Sequence, residues 1–225
     1  MRRAKRLHRW DLSPKEAIAL QTRLVSRLRL RGGPRRPRWI AAADASFDER
    51  SAYGVVVLWD AKRGEAVESH AARLRLAYPY VPGLLSFREA PVLLRAIARL
   101  TRVPDLLLVD GQGLAHPRRF GLACHLGLLL DLPSVGIAKS LLAGEHFPVP
   151  ARAGSHRPLL MRGRQVGWVL RSRTGVKPLY VSPGHRVSMA RALALAKSFR
   201  GPYRIPEPQR LADRLTRLVR ARGRC

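Results

Sequence analysis

Pro104-Asp105-Leu106-Leu107-Leu108-Val109-Asp110-Gly111-Gln112-Gly113 carries four apolar residues that deliver a carboxylate into a turn flanked by glycines. Four positions are too few for a helix and match a strand buried on both faces, with Asp110 at its carboxyl end. In open α/β sheets that end forms the rim where ligands bind, and a carboxylate there stays ionised beside a divalent cation. Asp110 is therefore the first candidate for chemistry, and the run predicts an α/β protein.

The flanking sequence agrees. Ser134-Val135-Gly136-Ile137-Ala138 reads as a second short strand, and the apolar stretch over 118–130 reads as the helix between them, which makes a βαβ unit with parallel strands. Upstream, residues 39–47, 55–60 and 67–76 read as strands and 86–100 as a helix. Downstream, 165–171 and 179–182 read as strands and 188–199 and 207–221 as helices. The first helix is expected over 14–30, because Ser13-x-x-Glu16 with Pro14 is a capping signature. Residues 31–38 form a basic linker broken by Gly and Pro, and Tyr78-Pro79-Tyr80-Val81-Pro82-Gly83 is a stiff loop. Nothing divides the 225 residues into halves of different character, so a single domain is expected.

Lys and Arg number 43 against 15 Asp and Glu, and the net charge of +28 is spread along the chain. Such a surface attracts polyanions by counterion release, and the arginine fork suits phosphate, so nucleic acid is the leading partner class. A membrane is not expected. Residues 1–10 are basic but lead into Asp11 and the capped helix, and the longest apolar stretch, 120–132, is interrupted by His125 and Asp131. The two cysteines, Cys124 and Cys225, form neither a disulfide framework nor a metal-spaced set, so a reducing, cytoplasmic setting is expected.

Several other residues could carry chemistry. Asp44 follows Ile40-Ala41-Ala42-Ala43, whose small side chains leave room for a metal or phosphate; a surface acid on an edge strand is the simpler reading. Glu89 lies in Ser86-Phe87-Arg88-Glu89, which is also a capping box, although Pro91 fits that register poorly. For Asp110 itself the simpler reading is an Asp-Gly turn. Lys139 ends the second strand, on the same sheet rim, where a cation could stabilise developing phosphate charge. Asp213 is explained equally by a helix pair with Arg217. His116, Arg118 and Arg119 stand beside the Asp110 turn, His185 follows Ser182-Pro183-Gly184, and Tyr80 sits on a proline-stiffened support. From there its ring could wedge between bases or pack on the surface.

Three strings closely resemble endonuclease V: Tyr80-Val81-Pro82-Gly83-Leu84-Leu85-Ser86-Phe87-Arg88-Glu89, then Val109-Asp110-Gly111-Gln112-Gly113 with His116-Pro117-Arg118-Arg119, and Pro133-Ser134-Val135-Gly136-Ile137-Ala138-Lys139. Gly184-His185-Arg186-Val187-Ser188 and Arg204-Ile205-Pro206-Glu207-Pro208 match as well, and the likeness runs over about 39–213, after a helix and linker over 1–38. The resemblance implies a ribonuclease H-like fold, a mixed central sheet flanked by helices. It also implies an enzyme that recognises deoxyinosine, the deaminated adenine, in DNA. Mg²⁺-dependent hydrolysis of the second phosphodiester 3′ to the lesion, leaving 3′-hydroxyl and 5′-phosphate ends, would follow, with Mn²⁺ as a substitute metal.

Carried over by position, Asp44 and Asp110 would hold the metal, Glu89 would complete the acidic cluster and Lys139 would contact the reacting phosphate. Pro79, Tyr80, Val81 and Pro82 correspond to the family's DNA wedge, often Pro-Tyr-Ile-Pro, while Gly83, Leu85, Gly111 and His116 fall where the family forms its lesion pocket. At Asp213 the family shows Asp or His, and Gln112 stands where many relatives have His. The partners implied are DNA with deoxyinosine or related lesions, with single-stranded DNA or RNA as further candidates, and a monomer is expected. Two alternatives stay open: a ribonuclease H-like nuclease preferring inosine RNA or branched DNA, and a non-catalytic basic nucleic-acid-binding protein.

Overall fold

A computed structural model of the chain describes residues 4–223, so Cys225 lies outside the described residues. Eight strands, β1 (Trp39–Phe47), β2 (Ser51–Asp60), β3 (Glu65–Arg75), β4 (Leu106–Val109), β5 (Ser134–Ala138), β6 (His156–Met161), β7 (Arg164–Leu170) and β8 (Leu179–Pro183), form one mixed sheet. Its order is β3-β2-β1-β4-β5-β8-β7-β6. The helices are α1 (Pro14–Leu24), α2 (Leu85–Ile97), α3 (Leu122–Leu130), α4 (Met189–Ser198) and α5 (Glu207–Arg222).

Side-chain alternation along β1 sorts the layers. Ala41 and Ala43 face a core shared with α2 and α3, whereas Ile40 and Ala42 face one shared with α4 and α5. Asp44 has the parity of Ile40 and Ala42 and so points to the α5 side. β1 runs parallel to β4, with Ala43 opposite Val109, and β4 runs parallel to β5, with Val109 opposite Gly136. The next residues on the first two strands are Asp44 and Asp110, which the parallel register sets side by side. No helix among the described residues is long and apolar enough to cross a membrane.

Besides β2 starting at Ser51 and α2 ending at Ile97, three departures from the sequence reading have a visible local cause. α1 stops at Leu24 and gives way to a single 3-10 turn over Val25–Arg27, with Leu28 extended. The sequence Arg27-Leu28-Arg29-Leu30-Arg31 alternates with a period of two, and Leu28 and Leu30 pack inward along it. α3 starts at Leu122 rather than near residue 118, because Arg119 takes a left-handed φ of 54° and Gly121 is the N-cap. β6 was not foreseen. It is an edge strand that tolerates Pro158, joined to β7 by Arg162 and Gly163, both left-handed as a type I′ hairpin turn requires.

The capping-box reading of Ser86 and Glu89 also fails. α2 begins at Leu85, so Ser86 lies inside it, and its hydroxyl faces His125 Nδ1 at 3.1 Å instead of capping. That contact belongs to a relay running from the buried His125 to the half-buried His8. His8 Nδ1 faces the Arg9 carbonyl at 2.6 Å and must donate, so His8 Nε2 accepts from His125 Nε2 at 2.7 Å, and Ser86 donates to His125 Nδ1. Burial, and then the charge of any proton on His8, push His125 down to about 3. A lowered base pKa contributes stability above about 6.5 that is lost as pH falls toward the folded value. At pH 5 the cost is about 2 kcal/mol. We expect the urea midpoint to fall between pH 6.5 and 4, and to fall less in His125→Gln; equal slopes would contradict the relay.

Candidate active site

The three alanines before Asp44 are fully buried, and Ala42, the one on the α5 side, lets that helix approach β1 closely. Thr216 on α5 donates its hydroxyl to Asp44 Oδ2 at 2.6 Å. Asp110 leaves β4 with its amide on the Ala43 carbonyl at 3.4 Å. The turn after it is tied to the start of α3, since the Gly121 and Ala123 amides donate to the carbonyls of Gly113 and Gln112. Lys139, just past β5, places Nζ 2.5 Å from Asp110 Oδ2 and 3.1 Å from Asp213 Oδ1. The other Asp213 oxygen takes Arg217 Nη2 at 2.6 Å, so the expected helix pair exists together with a place in the cluster.

One carboxylate oxygen from each of Asp44, Asp110 and Asp213 lies within 4.8 Å of the other two. Glu89 stands beside this trio rather than in it: it is 8% exposed on α2 and feels the charges of Asp44 and Asp110. Burial, then those two charges, raise its pKa well above the usual carboxylate range against the opposing charge of Arg88. Burial also raises Asp44 to about 6 against the Thr216 hydrogen bond, and raises Asp110 against its bond to Lys139. Asp213 is lowered, because bonds from Arg217 and Lys139 outweigh its burial. Crowded acids with raised pKa values in a cleft are what a cation would relieve, and the ammonium of Lys139 already does so for two of them. The trio therefore fits a divalent metal.

For Asp44 the sign can be tested without substrate. Its folded pKa of about 6 lies above its ordinary 3.8, so its ionisation destabilises the metal-free protein as pH rises through that window, by roughly 2–3 kcal/mol. In a chelator at pH 8 we expect Asp44→Asn to unfold at higher urea than the parent, with the difference gone at pH 4. A less stable variant at pH 8 would contradict it.

Beside the acids lies a cavity of about 360 Å³, lined by Tyr80, Val81, Pro82, Gly83, Leu85, Gly111 and His116 together with Asp110, Lys139 and Leu142. Tyr80 is 70% exposed at its mouth. Pro79 faces a separate cavity, with Trp10, Tyr78 and Arg88. His116, held neutral by a pKa pushed down by burial to about 4, accepts the Arg118 amide on Nδ1 and donates from Nε2 to the Gly83 carbonyl at 2.9 Å. Arg118 and Gln21 donate to the same carbonyl. Gln21, 62 residues from Gly83, gave no sequence signal. His185 lies at the opposite rim, pairing with Asp131 and donating its amide to Ser134 at the start of β5.

A mixed sheet whose hairpin β1-β2 continues into parallel β4, with acids from β1, β4 and a final helix converging at one rim, is the build of the ribonuclease H-like nucleases. Residues 22–214 match the family model described as Endonuclease V. Endonuclease V of Xanthomonas campestris is 49% identical over 209 residues, covering 92% of this chain and 89% of that one. The solved Endonuclease V of Streptomyces avermitilis superposes with a TM-score of 0.90 at 39% identity, covering 95% of this chain and 96% of that one. A Ciona intestinalis Endonuclease V, solved with a 24mer DNA containing an inosine followed by a ribo-adenosine, has a TM-score of 0.80 at 22% identity, covering 93% and 98% of the two chains. The chain belongs to the endonuclease V family, DNA repair nucleases.

Proposed function

We propose that this protein nicks DNA beside deoxyinosine, hydrolysing the second phosphodiester 3′ to the lesion and leaving 3′-hydroxyl and 5′-phosphate ends, with Mg²⁺ as its metal. The observation that carries the reading is that Asp110 and Lys139 line the same cavity as Tyr80, Gly83 and Gly111, so a base seated there puts its own strand against the acids. The inosine-bound Ciona relative supports the choice of base.

Asp44 and Asp110 would hold the cation, with Asp213 facing the same space and Glu89 buried behind. A cation there supplies positive charge to the attacked phosphate and lowers the pKa of water. Lys139, pinned between Asp110 and Asp213, directs a second positive charge to the rim where phosphate arrives. His116 serves the pocket indirectly, by fixing the Gly83 turn. Inosine pairs weakly, so extruding it costs less than extruding a normal base, and backbone amides of the Gly-rich lining can read its O6 and N7 acceptors. The exposed ring of Tyr80 fills the gap left in the stack.

A duplex with one inosine, mapped on a sequencing gel with and without Mg²⁺, tests the proposal. One nick at the second 3′ phosphodiester, only with Mg²⁺, is expected; cutting that ignores inosine rejects it. The ribo-adenosine in the Ciona complex favours one further arm, the same inosine strand in ribose form, and faster cutting there would move the preference to RNA. Unstacking a base costs a few kcal/mol, so we expect Tyr80→Ala to lower the preference for inosine over undamaged duplex about 10-fold or more. An unchanged preference would leave Tyr80 without a part in recognition.

A further inference from the structure

The backbone at Lys139 and Ser140 is clamped by side chains where the sheet leaves it unpaired. β5 loses its parallel partner after Gly136 and its antiparallel partner after Ala138, so among the described residues no strand pairs with Lys139 or Ser140. Their carbonyls are nevertheless both satisfied, and by side chains from distant segments. Arg204 Nη2 donates to the Lys139 carbonyl at 2.6 Å, and Gln112 Nε2 donates to the Ser140 carbonyl at 3.0 Å. Arg204 also reaches the carbonyls of Pro178 and Lys177, both at 2.9 Å, and so ties the end of β5 to the approach to β8. Its own carbonyl is held by the buried Ser172 hydroxyl at 2.6 Å.

Three carbonyls on one guanidinium use the fork that only arginine has. The ammonium of Lys139 bridges Asp110 and Asp213 from a backbone position that the strand ladder no longer holds, and the Arg204 bond to its carbonyl is what fixes that position. We infer that Arg204 is a positioning residue for the cleavage step, acting through the backbone of Lys139 and making no contact with the reacting atoms. The inference rests on the reading of Lys139 given above. A second effect has to be separated from it, because the charge of Arg204 also lowers the pKa of Asp110.

Single-turnover cleavage of the inosine duplex, duplex affinity and melting temperature would be measured for the parent, Arg204→Met, Arg204→Lys, Lys139→Ala and Lys139→Ala/Arg204→Met. Misplacement by about 1 Å costs on the order of 100-fold, so we expect Arg204→Met to slow cleavage about 10- to 100-fold with affinity within about threefold. Arg204→Lys keeps the charge but not the fork, and its rate should stay near that of Arg204→Met; a rate near the parent's assigns the effect to charge and overturns the clamp. On the Lys139→Ala background the Arg204 change should alter the rate less than about twofold. The same fold-loss on both backgrounds, or a loss matched by unfolding at the assay temperature, also overturns it.

Where Lys139→Ala cleaves too slowly to time, guanidinium ion should restore Arg204→Ala at ionic strength matched with sodium, and no restoration counts against the clamp. Parent-like cleavage by Lys139→Ala itself strikes the role given to Lys139, and is seen independently of any Arg204 result.

Discussion

Asp110→Asn should abolish nicking and spare binding. Asparagine keeps the shape of the side chain but removes the charge at the centre of the cluster, where the residue meets Lys139 and shares a 4.8 Å trio with Asp44 and Asp213. Metal-held charge stabilisation contributes several kcal/mol, and each 1.36 kcal/mol is tenfold in rate, so the expected loss is about 10³-fold or more. The duplex should bind as tightly or more tightly, because one fewer carboxylate repels phosphate. Gel-shift affinity and single-turnover rate on one inosine duplex decide the matter, and a variant that nicks within about tenfold of the parent rejects Asp110 as a metal ligand.

The second large effect is expected at Gly136, directly behind the turn that lines the pocket. A Cβ there would lie 2.5 Å from the Gly111 carbonyl oxygen, 2.6 Å from the Gly113 nitrogen and 2.8 Å from the Gln112 carbonyl carbon. All three are backbone atoms of the turn that follows Asp110, so no side chain can swing aside. The strand pairing Val109 to Gly136 fixes the other side. We expect Gly136→Ala to cost about 3 kcal/mol or more in urea unfolding and to slow cleavage even in the folded fraction, through displacement of Asp110. Gly201, with open space around it, supplies the control, and Gly201→Ala should change neither. A Gly136→Ala protein that matches the parent in both would show that the turn yields freely.

Much of this site could be read from the chain because its main parts are local. The four-residue run before Asp110, the alanines before Asp44 and the short strand before Lys139 each announce a strand with a charged end, and parallel pairing does the rest. The Tyr78 to Gly83 loop follows from two prolines and a glycine. What stayed hidden depends on partners far apart. Thr216 bonds Asp44 across 172 positions, and Arg204 bonds the Lys139 carbonyl across 65. No spacing marks either residue, since a threonine inside a helix and an arginine before one are ordinary on a chain this basic.

Glu89 and Asp213 show the same limit from the other side. Each sits in a local pattern, a capping box and an i,i+4 pair, that explains it without chemistry. The fold discards the first, since Ser86 bonds His125, and keeps the second while adding Lys139 as a further partner. For His116 and His185 the hydrogen bonds assign work that their positions in the sequence left open: one fixes the Gly83 carbonyl, and the other braces the far end of β5.

Anomalous diffraction from crystals grown with an inosine duplex and Mn²⁺ addresses the central claim most directly. A peak between the carboxylates of Asp44 and Asp110, at roughly the 2.0–2.1 Å ligand distance of a small hard cation, is expected. A peak elsewhere, with those two side chains still bound only by Thr216 and Lys139, would contradict it.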